Sequence, residues 1–267
     1  MNETYYYGQG KVYLARRDES GHPGAWRWVG DVSALEITLS SEYKVKKISR
    51  AGKLVSVQNF MFSHSGKLLS TWHSFSPENL AILLSSVCVK NTPAIVANES
   101  LPAGIQAGDR VSLAHQNVWD VDISGLKAGV EFVVDAVWGA IEFIRTPGNQ
   151  PLNASYCYAN SVSIPIFTSA KNEFAFRYEG QNLAEDKRKT LVELYRVAFE
   201  PVTSFPLINN DSSIAKLETS AEVMYDINRA ADSKLGQFGK VVLIEELNGI
   251  THDGSIYHNG IYTHGGK

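Results

Sequence analysis

The chain has 267 residues, with 25 Lys and Arg against 28 Asp and Glu and a formal net charge of -3. An apolar fraction of 44% with 20% charged residues is ordinary globular composition, enough for one large domain or two smaller ones. The balance excludes a generic basic nucleic-acid binder and an acidic disordered tail, and no apolar run approaches the ~20 residues that cross a bilayer. The opening residues show no basic patch followed by an apolar core, so a signal peptide is not expected. Cys88 and Cys157 stand in no metal or redox spacing. A soluble, non-secreted protein with two free thiols is the expectation.

Most of the chain reads as strand. From Leu35 the sequence alternates, with Leu35, Ile37, Leu39, Tyr43 and Val45 on one side and Glu36, Thr38, Ser40, Glu42, Lys44 and Lys46 on the other. With a return arm over Lys53–Phe75 this predicts a long hairpin. The fourteen residues Leu35–Ile48 would span about 46 Å, well beyond an ordinary strand. A bent or bulged pair of shorter strands is the other reading. Ser76, Pro77 and Glu78 then supply a cap, a first-turn proline and an acidic group at the positive end of a helix dipole. Leu80, Leu83, Leu84 and Val87 follow at helical spacing, predicting one helix of ~12 residues packed on a sheet.

Residues 91–103 are poor in charge and carry Pro93 and Pro102, which reads as a linker. Strands are predicted at Arg110–Ala114, Trp119–Ile123, Glu131–Val134 and Ala140–Ile144, with a loop-rich closure at Thr146–Asn153. This predicts a small β insertion over 91–160, between halves of a larger β domain at 1–90 and 161–245. The same strands could instead complete one big sandwich. Alternation returns at Phe174–Glu179, and again at Leu217, Thr219, Ala221, Val223 and Tyr225 against Glu218, Ser220, Glu222 and Asp226. Leu191–Phe199 is apolar on both sides but for Glu193 and Arg196, as a central strand would be.

No catalytic motif emerges. Gly8-Gln9-Gly10 lacks the third glycine of a dinucleotide loop, and no Gly-Lys pair sits in a phosphate loop. There is no nucleophile elbow and no zinc helix. Cys88, at the end of the apolar helix stripe, reads as a buried inert thiol. Glu185-Asp186 and Glu245-Glu246 read as solvated loop charge. His252, His258 and His264 recur every six residues, but on a straight strand they cannot converge on one metal. The expectation is no enzyme, no cofactor and no metal.

Several segments, taken in order, resemble one family. They are Gly8–Arg16 with Trp28–Val32, Phe75–Ala81, Gly108–His115, Val192–Pro201 and Leu235–Gly239. Together they are similar to the major tail tube proteins of long, non-contractile-tailed bacteriophages, from about residue 5 to residue 244. The extension at 246–267 lies outside the likeness. The resemblance implies a mainly β fold, a tail-tube-like β-sandwich or partial barrel with one packed helix, a long hairpin arm and a small inserted subdomain. It implies hexameric rings whose inner sheets join into a β-barrel and stack into a hollow tube in the virion tail, assembled in the host cytoplasm. Its implied partners are further copies, a tape measure protein, tail terminator and distal tail proteins, and transiently passing double-stranded DNA. No membrane is involved.

Two surfaces are assigned on that basis. Glu36, Glu42, Glu218, Glu222 and Asp226 are expected to face the lumen, because a cationic lining would grip DNA. Lys44, Lys46, Lys47, Arg50 and Lys53 are expected between stacked rings, meeting Glu173, Glu179 or Glu200 of the next ring. The alternative is a monomeric carbohydrate-binding or glycan-hydrolysing tail-associated β protein, with Trp26 and Trp28, or Trp119 and Trp138, as a sugar platform.

Overall fold

The computed structural model describes residues 5–50, 52–169, 172–184, 188–210, 213–230 and 234–244. The Glu185-Asp186 and Glu245-Glu246 pairs, the three histidines at 252, 258 and 264 and the extension at 246–267 lie outside the described residues.

The fold is mainly β. In chain order the elements are β1 (Gly8–Arg16), β2 (Arg27–Trp28), β3 (Val32–Arg50), β4 (Lys53–Trp72), α1 (Pro77–Leu83), β5 (Val89–Asn91), β6 (Ala94–Ser100) and β7 (Arg110–Ser112). There follow β8 (Val118–Ile123), β9 (Phe132–Asp135), β10 (Ala140–Phe143), β11 (Asn153–Tyr158) and β12 (Ser161–Ser163). The last four are β13 (Glu173–Asn182), β14 (Arg188–Phe199), β15 (Leu217–Val223) and β16 (Gly239–Ile244). The sheets are antiparallel, and among the described residues none closes into a barrel.

Two compact units form, one from Met1–Phe75 with Lys171–Lys267 and one from Ser76–Ala170. The second is wider at both ends than the expected 91–160 block, and it takes in the helix. In the first unit the strand order is β2-β1-β13-β14-β15-β4-β3. One edge of β14 forks: Lys189–Leu194 pair with β16, and Val197–Phe199 pair with β15. With β13 on its other edge, β14 is a central strand of the sheet. Trp72, Phe174, Phe176, Val197, Phe199 and Leu217 are buried in this unit. Its buried hydroxyls are satisfied, with Trp72 Nε1 donating to Ser70 Oγ at 2.9 Å and Thr219 Oγ1 to the Ser70 carbonyl at 3.0 Å.

The second unit is a small sandwich. Sheet β7-β10-β9 contributes Phe132, Ile141 and Phe143, and sheet β6-β11-β8 contributes Val118, Ile123, Ala154 and Tyr156, to one apolar cluster. The linker expected at 91–103 is largely strand β6, paired to β11. Its two prolines frame the strand instead of interrupting it.

Helix α1 begins as expected, with Ser76 Oγ accepting from Asn79 N, but stops after seven residues. Ser85 takes the left-handed conformation, φ 49°. Its N–H bonds the Ile82 carbonyl and the Ser86 N–H bonds the Ala81 carbonyl, the crossed pair that terminates a helix. Leu83 is fully buried and Leu84 half-buried, whereas Val87 lies beyond the helix and is exposed.

Candidate functional site

The strand register settles which hairpin residues share a face, since directly opposed residues in antiparallel strands project to the same side. Rows Leu35–Ser70–Thr219 and Ile37–Leu68–Ala221 lie on one side. Its β4 and β15 members are buried. Rows Glu36–Leu69–Ser220 and Thr38–Lys67–Glu222 lie on the other, with Thr71 opposite Glu218. Glu36, Glu218 and Glu222 therefore come together on one exposed face. It is a mixed face, because Lys67 sits within it and Lys216 Nζ approaches Glu218 at 2.9 Å. Glu42 is farther out, accepting from Ser63 Oγ at 3.2 Å.

Asp226 departs from the expected group. Strand β15 ends at Val223, so the alternation that would carry Asp226 to the wet face stops three residues short. Asp226 turns inward instead, its side chain 3% exposed, and accepts from Arg17 Nη2 at 2.7 Å with Arg229 Nε at 3.4 Å. A carboxylate this desolvated needs such cations, and they make it a structural group. Arg17 lies 209 positions away, so no local pattern could reveal the pair.

The hairpin outruns its support. Strands of 19 and 20 residues form it, and Gly52, at φ +76°, supplies the left-handed backbone its tight turn needs. Pairing of β15 with β4 stops at Gly66, so among the described residues no third strand pairs with 40–50 or 53–65, and nearly every side chain there is exposed. Large apolar side chains stand in solvent there: Leu54 is 74% exposed, Tyr43 58%, Met61 56% and Phe62 60%. Register shifts place extra residues Phe62 and Val57 on β4, and such bulges twist an exposed strand away from flat edge pairing. The arm is thus one continuous hairpin with bulges on its return strand.

Lys44, Lys46, Lys47, Arg50 and Lys53 occupy its outer end, and all are exposed. Among the described residues no carboxylate pairs with any of them; Lys44 Nζ sits 3.8 Å from the Phe62 ring centre. Two of their expected acidic partners are already committed within the chain. Glu173 accepts two hydrogen bonds from Arg196, at 2.7 and 2.9 Å, and this carboxylate holds the Arg196 pKa above its ordinary value. Glu179 accepts from Arg177 Nε at 2.7 Å. Glu200 is exposed.

Candidates for catalysis and sugar binding distribute as follows. Among the described residues no group of His, Cys, Asp and Glu could hold a metal ion. Cys88 Sγ lies 3.2 Å from the Pro77 carbonyl and is half-buried. In the second unit Tyr156 donates to Glu99, which also accepts from Ala114 N at 2.9 Å, and His115 Nδ1 lies 3.0 Å from the Tyr156 hydroxyl. His115 stacks on Tyr158 with ring centres 3.8 Å apart. Burial first, then the bond to Glu99, pushes the Tyr156 phenol well above its ordinary pKa. Such a phenol keeps its proton and ties β6 to β11. Arg177 lies 5.9 Å from the Trp26 ring centre and Lys11 lies 5.7 Å from that of Trp28, so cations neighbour both indoles. Trp119 and Trp138 are exposed.

No curated protein matches the chain. The family described as protein of unknown function UCP028589 matches residues 5–242, nearly the whole described structure. By that match the chain belongs to the UCP028589 family.

Proposed function

We propose that the chain is a structural subunit of a tail tube of the siphophage type, in which hexameric rings stack into a hollow conduit for double-stranded DNA. One observation carries the reading: a hairpin whose outer half exposes large apolar side chains on an arm with both edges unpaired among the described residues. Apolar area on this scale favours burial in an assembly, and unpaired edges invite other strands. The ordered sequence likeness supplies the ring and the tube.

In this assembly Glu36, Glu42, Glu218 and Glu222 belong to the lumen-facing surface, without Asp226. Lys67 and Lys216 offset part of that charge and leave the surface net acidic, which suits a conduit past which phosphates must slide. The cationic arm tip lies between rings. No catalytic step is assigned. Sedimentation velocity over a wide concentration range tests the reading. Species at multiples of the monomer mass are expected. A compact monomer at the highest attainable concentration would overturn it.

A further inference from the structure

We infer that the cationic hairpin tip of one copy docks on an acidic, tryptophan-flanked corner of the second unit of a neighbouring copy; the inference rests on the assembly reading above and names the partner surface of the arm.

Charge bookkeeping isolates both surfaces. Residues 43–65 contain no carboxylate at all, so no acidic residue stands nearer to the five cations in sequence than Glu42. Residues 76–170 hold eight Asp and Glu against four Lys and Arg, a net of -4. Most of those carboxylates are engaged. Arg110 takes Asp135 and Glu142. Tyr156 takes Glu99, while Asp109 and Glu131 accept from the backbone N–H groups of Gln106 and Lys127. Glu78 sits in the first turn of α1. Asp120 and Asp122 are exposed, and among the described residues neither carboxylate has a hydrogen-bond or ion-pair partner.

The local backbone is built to present this pair. Strand β8 is an edge strand, and its register with β11 slips by one residue between Trp119 and Asp122. The bulge puts Asp120 in the left-handed region, φ 50°. A bulge of this kind re-aims the side chains beside it, and an aspartate tolerates the conformation better than most residues. Trp119 precedes it, 44% exposed. Trp138, 69% exposed, stands in a turn fastened alongside by Asn117 N to the Val137 carbonyl, 3.0 Å, and Val118 N to the Ala136 carbonyl, 2.9 Å. Glycine is required in that turn: a Cβ on Gly139 would lie 1.9 Å from the His115 carbonyl oxygen.

Carboxylates and indoles exposed on one edge strand and the turn fastened to it suit ammonium and guanidinium groups. The arm tip offers such groups together with Ile48, Leu54 and Val55, which suit the indoles. A polyanion such as nucleic acid would satisfy the tip and leave the corner unmatched. A second copy satisfies both. Between stacked rings this contact runs head-to-tail, each copy lending its tip to one neighbour and its corner to the other.

Zero-length carbodiimide coupling joins an amine only to a carboxylate it touches, and mixing isotopically light and heavy copies separates contacts between copies from contacts within one. Links from Lys46 or Lys47 of one copy to Asp120 or Asp122 of the other are expected. The paired change Asp120→Asn with Asp122→Lys should raise the concentration at which stacks form by about tenfold. Combining it with Lys46→Glu and Lys47→Glu should recover most of that loss, which a folding defect would not permit. Stacked rings without these links, and with normal stacking of the corner variant, would overturn this contact and leave the tube reading standing. The links without any ring would keep the contact and overturn the tube. Neither links nor rings would overturn both. Protection of the tip lysines from acylation by a short DNA duplex, but not by a second copy, would assign the tip to phosphate and also overturn the contact.

Discussion

Asp226 and Tyr156 each bury a polar group whose partner lies far away in the chain. Asp226 sits on the wet side of an alternation, yet its desolvated carboxylate is held by Arg17 and Arg229. Removing one partner of a buried pair leaves the other charge stranded, so Asp226→Ala should cost about 3–5 kcal/mol in chemical denaturation. Tyr156→Phe should cost roughly 1–3 kcal/mol, because Glu99 loses a charged hydrogen bond. It should also change the pH dependence. The folded phenol holds its proton more tightly than the unfolded one, so between the two pKa values the folded state binds more protons and stability falls as pH rises. Stability should therefore be full below about pH 10 and decline above it, and Tyr156→Phe should reduce that alkaline decline. Tyr178, raised by burial and its bond to Tyr6, contributes in the same direction and leaves part of the slope. Denaturation at neutral and at strongly alkaline pH measures both effects.

The long elements were legible because their information is local. Period-two alternation marked β3 and the two-sided apolar run marked β14, since burial on one face or two writes itself directly into neighbouring residues. The ends were not legible. Helix α1 stops where Ser85 turns left-handed, a termination usually made with glycine, so the leucine spacing ran on past the true end. Strand β6 was hidden between two prolines, and the split pairing of β14 depends on strands far along the chain. For the helix, Leu83→Ala should cost about 2–5 kcal/mol, the toll of an emptied core site, and a melting temperature equal to the wild type would contradict the burial of Leu83. For the arm, Lys46→Glu, Lys47→Glu and Arg50→Glu together should leave the melting curve within a few degrees, since exposed unpaired cations contribute about 0–1 kcal/mol each. The same triple variant should no longer stack.

At the scale of the molecule, what the chain covers matters less than what it leaves uncovered. A sandwich in the second unit and an open sheet in the first account for the buried residues, and neither needs the outer half of the hairpin for its core. Sequence showed the arm's length and its cationic end. It did not show that Tyr43, Met61 and Phe62 would stay in solvent, because alternation predicts a dry face without saying which chain dries it. The assembly reading supplies that chain as further copies. Negative-stain electron microscopy of the purified full-length protein tests it most directly. The account predicts six-fold rings with an open centre, stacking end to end into hollow tubes as concentration rises. A uniform field of small monomeric particles at every concentration would contradict it.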